Sequence, residues 1–411
     1  MSDTQPLVQH FREEAIKRLN LRPYLSGILP LFFFAHFGHH VVGAMLRPLM
    51  PMIRTDFGLS YTQSGLLMSA FSLTSGISQL PAGWLADRFG SRLMVLVSVS
   101  GVALAGFLIG VSHSYTALVV FLVLAAILGG GYHPSSIAAI SLSVPSEYRG
   151  RAFGFHFVGG SSAFWIVPLL AAPIAVAWGW RGSYLTLTIP TIILGVLLYI
   201  IIGRRRQTQV GESHTADSES TMTSAHIPWR QLAPFVIMSV AIGTIVQSGL
   251  AYISLYAVDS LGVAEAVAAM LVAITPAVGL LAAPVGGYLS DRFGSVPVLL
   301  VISFCVIPLV YLLGRAPSVA ILATLLVAIG IVSSARMPTS ESYIAGKTPP
   351  RRRATLFGIY FFASTEASGL LTPVMGNLID RFGFPFSFAT ASATMAAMVV
   401  VCSIFLWRNR A

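Results

Sequence analysis

The sequence predicts an all-α membrane protein, with twelve transmembrane helices arranged as two pseudo-symmetric six-helix bundles. Three observations predict it. Apolar residues come in runs long enough to cross a bilayer, such as Leu93–Val111 and Phe386–Trp407, where about 20 residues are needed. Basic residues collect in the short loops on one side of those runs. A nine-residue segment of the first half also returns in the second half at a fixed offset.

In chain order, the runs place spans at 26–51, 62–86, 93–111, 116–142, 150–177, 182–203, 231–257, 264–289, 296–314, 319–344, 353–379 and 386–408. Residues 1–25 carry Arg12, Glu13, Glu14, Lys17, Arg18 and Arg22 and no apolar h-region. They read as a cytoplasmic N-terminal segment without a cleavable signal, the first span serving as its own insertion signal. Arg204, Arg205 and Arg206 open a Ser/Thr/Glu-rich stretch over 204–230, which reads as a cytoplasmic linker. It separates an N-terminal bundle, 26–203, from a C-terminal bundle, 231–408.

Composition excludes the soluble classes. Of 411 residues, 55% are hydrophobic and 10% charged, against roughly 25% charged in a soluble domain. The net charge of +10 therefore points to a membrane topology and not to nucleic acid. With the N-terminus inside, 19 of the 25 Lys and Arg lie on the cytoplasmic side. Arg54, Arg181, Arg315 and Arg381 lie outside, and Arg47 and Arg336 within spans. Both termini are thus expected in the cytoplasm. Cys305 and Cys402 sit inside apolar runs and form neither a disulfide framework nor a metal cluster.

The repeat is Gly83-Trp84-Leu85-Ala86-Asp87-Arg88-Phe89-Gly90-Ser91, which recurs as Gly287-Tyr288-Leu289-Ser290-Asp291-Arg292-Phe293-Gly294-Ser295, 204 positions later. The same offset maps Gly58 onto Gly262, Pro134 onto Pro338, Arg149 onto Arg353, Phe153-Gly154 onto Phe357-Gly358, and Gly179 onto Gly383. Apolar helices that were alike only by chance would not keep these residues in one register.

The two segments resemble the loop signature G-x-L-a-D-r-x-G-r-k of the major facilitator superfamily, whose halves are parallel repeats. Gly83, Leu85, Ala86, Asp87, Arg88, Gly90 and Arg92 match; Ser91 replaces a basic position, and Val296 stands where the first copy has Arg92. The resemblance implies a cytoplasmic gate built from Gly83, Asp87, Arg88, Gly90, Arg92, Gly287, Asp291, Arg292 and Gly294. In it Asp87 would cap span 11 near Ala354 to Phe357, and Asp291 span 5 near Gly150 to Phe153, where helix dipoles are positive. A positive-inside loop with a turn glycine is the plainer reading. Asp56-Phe57-Gly58-Leu59-Ser60 with Gln63 and Gly65, Tyr132-His133-Pro134 with Ser135 and Ser136, and Phe157-Val158-Gly159-Gly160 resemble the fosmidomycin-resistance group of drug exporters. Two departures stand out. Ser135 occupies the place of an acidic residue that often follows His-Pro in that group, and the antiporter signature G-x-x-x-G-P-x-x-G-G is incomplete in span 5, with no proline after Gly159-Gly160 until Pro168.

Ionisable residues inside a bilayer usually face a cavity or a partner. Span 1 carries His36, His39 and His40 on one face, with Arg47 two turns further on. Span 4 carries Tyr132 and His133, span 5 His156, span 7 Gln247, span 10 Arg336 and Glu341, and span 11 Glu366 near its centre. The resemblance assigns spans 1, 4, 7 and 10 to the central cavity, with 2, 5, 8 and 11 beside them. These eleven residues are therefore the expected substrate and proton pathway. Glu366 reads either as a proton-coupling carboxyl group or as one paired with Arg336 or simply hydrogen-bonded. An excess of positive groups favours an anionic or phosphonate-like substrate, unless Arg336 is neutralised by Glu341 or Glu366. His36-x-x-His39-His40 also admits a zinc site, which needs three or four convergent ligands, or a box of a membrane di-iron enzyme; satisfied cavity histidines are the bland alternative. No phosphate-binding Gly-Lys loop is present.

The expectation is a secondary active transporter and not an enzyme: proton-coupled export of a small organic compound by alternating access, in the bacterial inner membrane. It would work as a monomer in the lipid bilayer, with protons as coupling ion, and no cofactor, metal or nucleic acid is expected. An organic-anion uptake symporter is the alternative within the fold. A non-transporting receptor or a membrane-bound metal enzyme is the alternative outside it.

Overall fold

A backbone in hydrocarbon has to satisfy its polar groups internally, which leaves the helix as the element these apolar runs can form. The computed structural model describes residues 29–143, 149–206, 228–348 and 350–408, and among these it contains helices and turns and no strand. The expected N-terminal segment, 1–25, and residues 207–227 of the linker lie outside the described residues.

Twelve spans are present. Span 1 is Leu29–Leu46 continued by Met50–Phe57, and span 2 is Tyr61–Phe89. Span 3 is Ser91–Gly110, and span 4 is Tyr115–Gly129 continued by Tyr132–Ser143. Arg149–Arg206 holds spans 5 and 6, broken at Trp178 and Gly179. Span 7 is Trp229–Leu250 with Ile253–Leu261, span 8 Glu265–Leu271 with Ile274–Phe293, and span 9 Ser295–Leu313. Span 10 is Val319–Ser334 with Arg336–Lys347, and Pro350–Arg408 holds spans 11 and 12, broken at Gly383. The apolar windows Ala152–Ile201, of 50 residues, and Phe362–Leu406, of 45, would each reach about 70 Å as one helix, far more than the roughly 30 Å of a hydrocarbon core. Each therefore crosses twice. Several ends differ from expectation by a few residues. Span 1 resumes after a turn at Pro48, which cannot continue a helix's hydrogen bonding, and reaches Phe57; span 6 runs on to Arg206 into the expected linker.

The backbone carries the repeat. The six glycines with positive φ are Gly58 and Gly262 (61° and 64°), Gly90 and Gly294 (83° and 86°), and Gly179 and Gly383 (71° and 75°). Each pair is 204 residues apart. These are left-handed conformations that disfavour a Cβ, so the glycines mark the same three loops in each half. Ser114 and Ser318, another such pair, cap spans 4 and 10 by accepting from the third amide onward.

The halves meet along spans 2 and 11 and along spans 5 and 8. Small residues let spans 2 and 11 approach. A methyl group at Gly65 would meet the Tyr252 hydroxyl and lie 2.9 Å from Pro373 Cα, and one at Gly376 would meet the Tyr61 carbonyl. Ser69 Oγ donates to the Gly369 carbonyl at 2.7 Å. Lipid offers no hydrophobic force between helices, so close packing and such bonds hold them.

Gly65→Ala is expected to destabilise this closed end by about 1–3 kcal/mol, the usual range for overpacking. The readout is maleimide labelling of Ala251→Cys, a position 1% exposed in the parent, in a chain with Cys305 and Cys402 replaced by serine. Labelling is expected to accelerate.

Candidate functional site: a polar cavity between the halves

A cavity of about 910 Å³ lies between the two bundles. Seven of the expected pathway residues line it: His39, His40 and Arg47 from span 1, His133 from span 4, Gln247 from span 7, and Arg336 and Glu341 from span 10. The remaining four do not. His36, Tyr132 and His156 sit behind the wall, and Glu366 lies in the seam between spans 2 and 11. Hydropathy reading also missed a polar strip on span 2, with Ser72, Ser75 and Gln79 on the cavity; uncharged side chains in an apolar run raise little signal.

In the N-terminal half the buried polar groups are imidazoles. His36 Nδ1 lies 2.8 Å from the His156 carbonyl and His156 Nδ1 3.1 Å from the Phe32 carbonyl, so both nitrogens donate. The Tyr132 hydroxyl also donates to Phe32, at 3.3 Å. His36 stacks on His156 (4.2 Å between centroids), and His39 on Tyr132 (4.6 Å). Gly160 leaves the space that the His36 ring fills.

In the C-terminal half the equivalent place is held by a guanidinium. Arg336, 204 residues after Tyr132, donates through Nη1 to the Ser239 carbonyl (3.0 Å), the Ser239 hydroxyl (3.0 Å) and the Tyr360 hydroxyl (2.9 Å). Tyr360 is in turn the repeat partner of His156. Among the described residues no direct ion pair joins Arg336 to Glu341 or Glu366, the alternative considered above. Its hydrogen-bond partners are neutral oxygens, and Glu341 lies near enough to interact with its charge. Arg47 donates to Gln247 Oε1 at 3.1 Å across the two halves.

Glu366 is expected in the pathway, and the structure differs. Its side chain is 8% exposed and packs on Gly76 of span 2, where a Cβ would collide with Oε1. That oxygen has no hydrogen-bond partner among the described residues. Position 366 turns toward span 2 because Gly76 leaves room for it there.

One end of the cavity is shut by contacts between the halves. Arg54 pairs with Asp259 at 2.6 Å, with each side chain 28% exposed. The Tyr61 hydroxyl donates to the same Asp259 carboxylate, and the Arg54 guanidinium lies 4.2 Å over the Tyr61 ring. Asp380, at the end of span 11, accepts from the Tyr61 and Thr62 amides at 2.9 and 2.8 Å. Ser60 and Gln63 form a reciprocal capping box (Ser60 N to Gln63 Oε1, 2.9 Å; Gln63 N to Ser60 Oγ, 3.1 Å). The first turn of span 2 is thus capped twice, once by its own half and once by the other. Asp56 pairs with Arg181 at 2.7 Å and ties span 1 to span 6. Asp56, Gly58, Ser60, Gln63 and Gly65, quoted above for their resemblance, therefore all serve this end.

The gate residues lie at the opposite end. The side chains of Asp87 and Arg92 are outside the described ones. Gly90 and Gly294 make the turns. Arg88 lies over Trp84 at 5.6 Å, and Arg292 donates to the Tyr288 hydroxyl four residues earlier at 3.1 Å. Asp291 is exposed and makes no hydrogen bond or ion pair among the described residues; part of its expected partner segment, Gly150 and Arg151, lies outside the described side chains.

A family model described as Major Facilitator Superfamily matches residues 32–309 and 237–411. The multidrug resistance protein MdtG of Salmonella typhimurium is 26% identical over 376 residues, covering 89% of this chain and 91% of that protein. A probable L-galactonate transporter of Escherichia coli is 30% identical over 199 residues, 48% of this chain and 43% of that protein. Among solved structures, a bacterial homolog of the human lysosomal transporter Spinster, inward-facing and occupied, aligns with a TM-score of 0.76 at 17% identity over 94% of this chain and 96% of that one. A POT family transporter in complex with 5-aminolevulinic acid aligns with a TM-score of 0.79 at 15% identity, over 93% and 96%. At these identities the structural likeness speaks for the fold.

Asp380→Asn keeps an acceptor but removes the charge at the start of span 2. A loss of about 1 kcal/mol is expected, within the range for helix caps, or about fivefold in the ratio of open to closed at this end. Spin labels on the exposed Thr55 and Ser260, one in each half, are expected to report a larger population at long distance.

Proposed function

The chain belongs to the Major Facilitator Superfamily, and from that premise we propose that this membrane transporter is a proton-coupled exporter of small organic compounds with a preference for anions. The observation that carries the reading is the cavity itself. It is enclosed by both halves and shut at one end, and it carries Arg47 and Arg336 against the single carboxylate of Glu341 among its described lining residues. Electrostatics of that sign favours an anion.

The distribution of Lys and Arg supports cytoplasmic termini and a location in the bacterial cytoplasmic membrane. In that orientation the Arg54–Asp259 end faces outward, and the cavity is served from the cytoplasm, where an exporter loads. Asp291, exposed and without a partner among the described residues, fits an open inner gate. Likeness to MdtG along most of both chains supports efflux. The part-length likeness to a probable L-galactonate transporter, together with the two arginines, supports a second reading, uptake of an organic anion by symport.

For coupling we assign Glu366. It is a carboxyl group in the seam that must loosen when the halves rock, and Oε1 has no partner there. A dry seam accommodates the neutral acid, whereas an ionised carboxylate needs water or a partner. Proton binding and seam opening are then linked.

The test is Glu366→Gln in proteoliposomes. Substrate exchange at equal pH is expected to persist, while uphill transport driven by a pH gradient is expected to fall at least tenfold. Gradient-driven flux at the parental rate would remove Glu366 from coupling. Flux unaffected by collapsing the pH gradient in the parent chain would remove proton coupling altogether.

A further inference from the structure

We propose that His36, His40 and His133 form a binding site for a divalent transition-metal ion of the zinc, nickel or cobalt class in the wall of the cavity. The three residues that the spacing groups together are His36, His39 and His40. The fold groups a different three, because span 4 brings His133 against span 1. One ligand nitrogen from each of His36, His40 and His133 lies within 4.8 Å of the others. His36 Nε2 and His40 Nε2 are already 3.1 Å apart. Zinc–nitrogen bonds of about 2.0–2.1 Å in a tetrahedral site separate the ligand atoms by about 3.3–3.4 Å. One pair thus has nearly the required spacing, and His133 closes the rest by a small side-chain rotation.

The surroundings fit the role. A metal-binding imidazole commonly donates its other nitrogen to a carbonyl, which fixes the tautomer and aims the lone pair. His36 does so, since Nδ1 donates to the His156 carbonyl at 2.8 Å, leaving the Nε2 lone pair toward His40. His156 is itself held by the Phe32 carbonyl at 3.1 Å. The adjoining His39 ring lies 4.8 Å from His40 and 5.3 Å from His133 between centroids. Imidazole donors select borderline transition ions over magnesium or calcium, which prefer oxygen. His40 and His133 line the cavity, so an ion can arrive from it. Three protein ligands leave a fourth position for water or another donor.

The experiment uses the full chain, purified in detergent and carrying no polyhistidine tag. Zinc chloride is expected to raise the melting temperature saturably, and magnesium chloride is not. His40→Gln and His133→Gln are each expected to weaken zinc binding at least tenfold, while His113→Gln, at an exposed position outside the cluster, leaves it unchanged. Cobalt chloride is expected to give the visible d–d bands of a four-coordinate ion, lost in His133→Gln. A parent chain with no zinc-dependent shift, or an equal shift in both cluster variants, overturns the site. If a variant fails to fold, the cobalt spectrum of the parent decides: six-coordinate bands only, or none, overturn the proposal.

Discussion

In hydrocarbon a backbone amide without a partner costs several kcal/mol, and no water is there to relieve it. Everything else in this molecule follows from that constraint. It makes each apolar run a helix, confines breaks to short turns, and removes the usual hydrophobic drive for helix association. What remains to hold the halves together is close backbone approach and a few hydrogen bonds. The seam between spans 2 and 11 supplies both. Gly65, Gly76, Gly369 and Gly376 bring the helices close, and Ser69 bonds across at 2.7 Å. A small side chain added at Gly65 or Gly76 has nowhere to go.

The halves share a backbone but not a chemistry. Glycines 204 residues apart have φ values within a few degrees, so the duplicated frame is well kept. At equivalent positions, however, Tyr132 and His156 face Arg336 and Tyr360. The N-terminal half holds a stack of imidazoles around its carbonyls, and the C-terminal half a single guanidinium held by Ser239 and Tyr360. One frame thus presents two different walls to the same cavity. A site with unlike walls can orient a cargo, which two identical walls related by a half-turn would bind equally in two poses.

The two ends of the cavity are also unlike. One has an ion pair, a carboxylate cap and a shared Asp259, all across the halves. A partly exposed ion pair contributes little by itself, about 0–1 kcal/mol. The Arg54–Asp259 pair matters as part of a network with Tyr61 and Asp380, which sets the register of span 2 against spans 7 and 11. At the other end Arg88 and Arg292 stack on aromatic neighbours of their own helices, and the exposed Asp291 has no partner among the described residues. Contacts this modest can be exchanged from one end to the other at low energy, as rocking of the halves requires.

The number of spans and the duplication were legible in the sequence, because chain length against bilayer thickness and charge against apolar runs are strong one-dimensional signals. Seven of eleven expected pathway residues line the cavity. Which way each helix faces was not legible. The first part of span 4, Tyr115–Gly129, is apolar nearly all round, and lipid is as apolar as the protein interior, so no periodicity tells its inner face from the outer. Glu366 was visible as a buried acid, but its contact with Gly76 was not. His36, His39 and His40 were visible as a group, but the partner that span 4 adds was not. Asp380 was not singled out in the sequence, and only the fold sets it over the first turn of span 2. Composition and pattern determined how many helices cross and where the polar groups lie along them. Only the tertiary structure decided which of those groups meet, because rotation of a helix about its axis is set by its neighbours and not by the solvent around it.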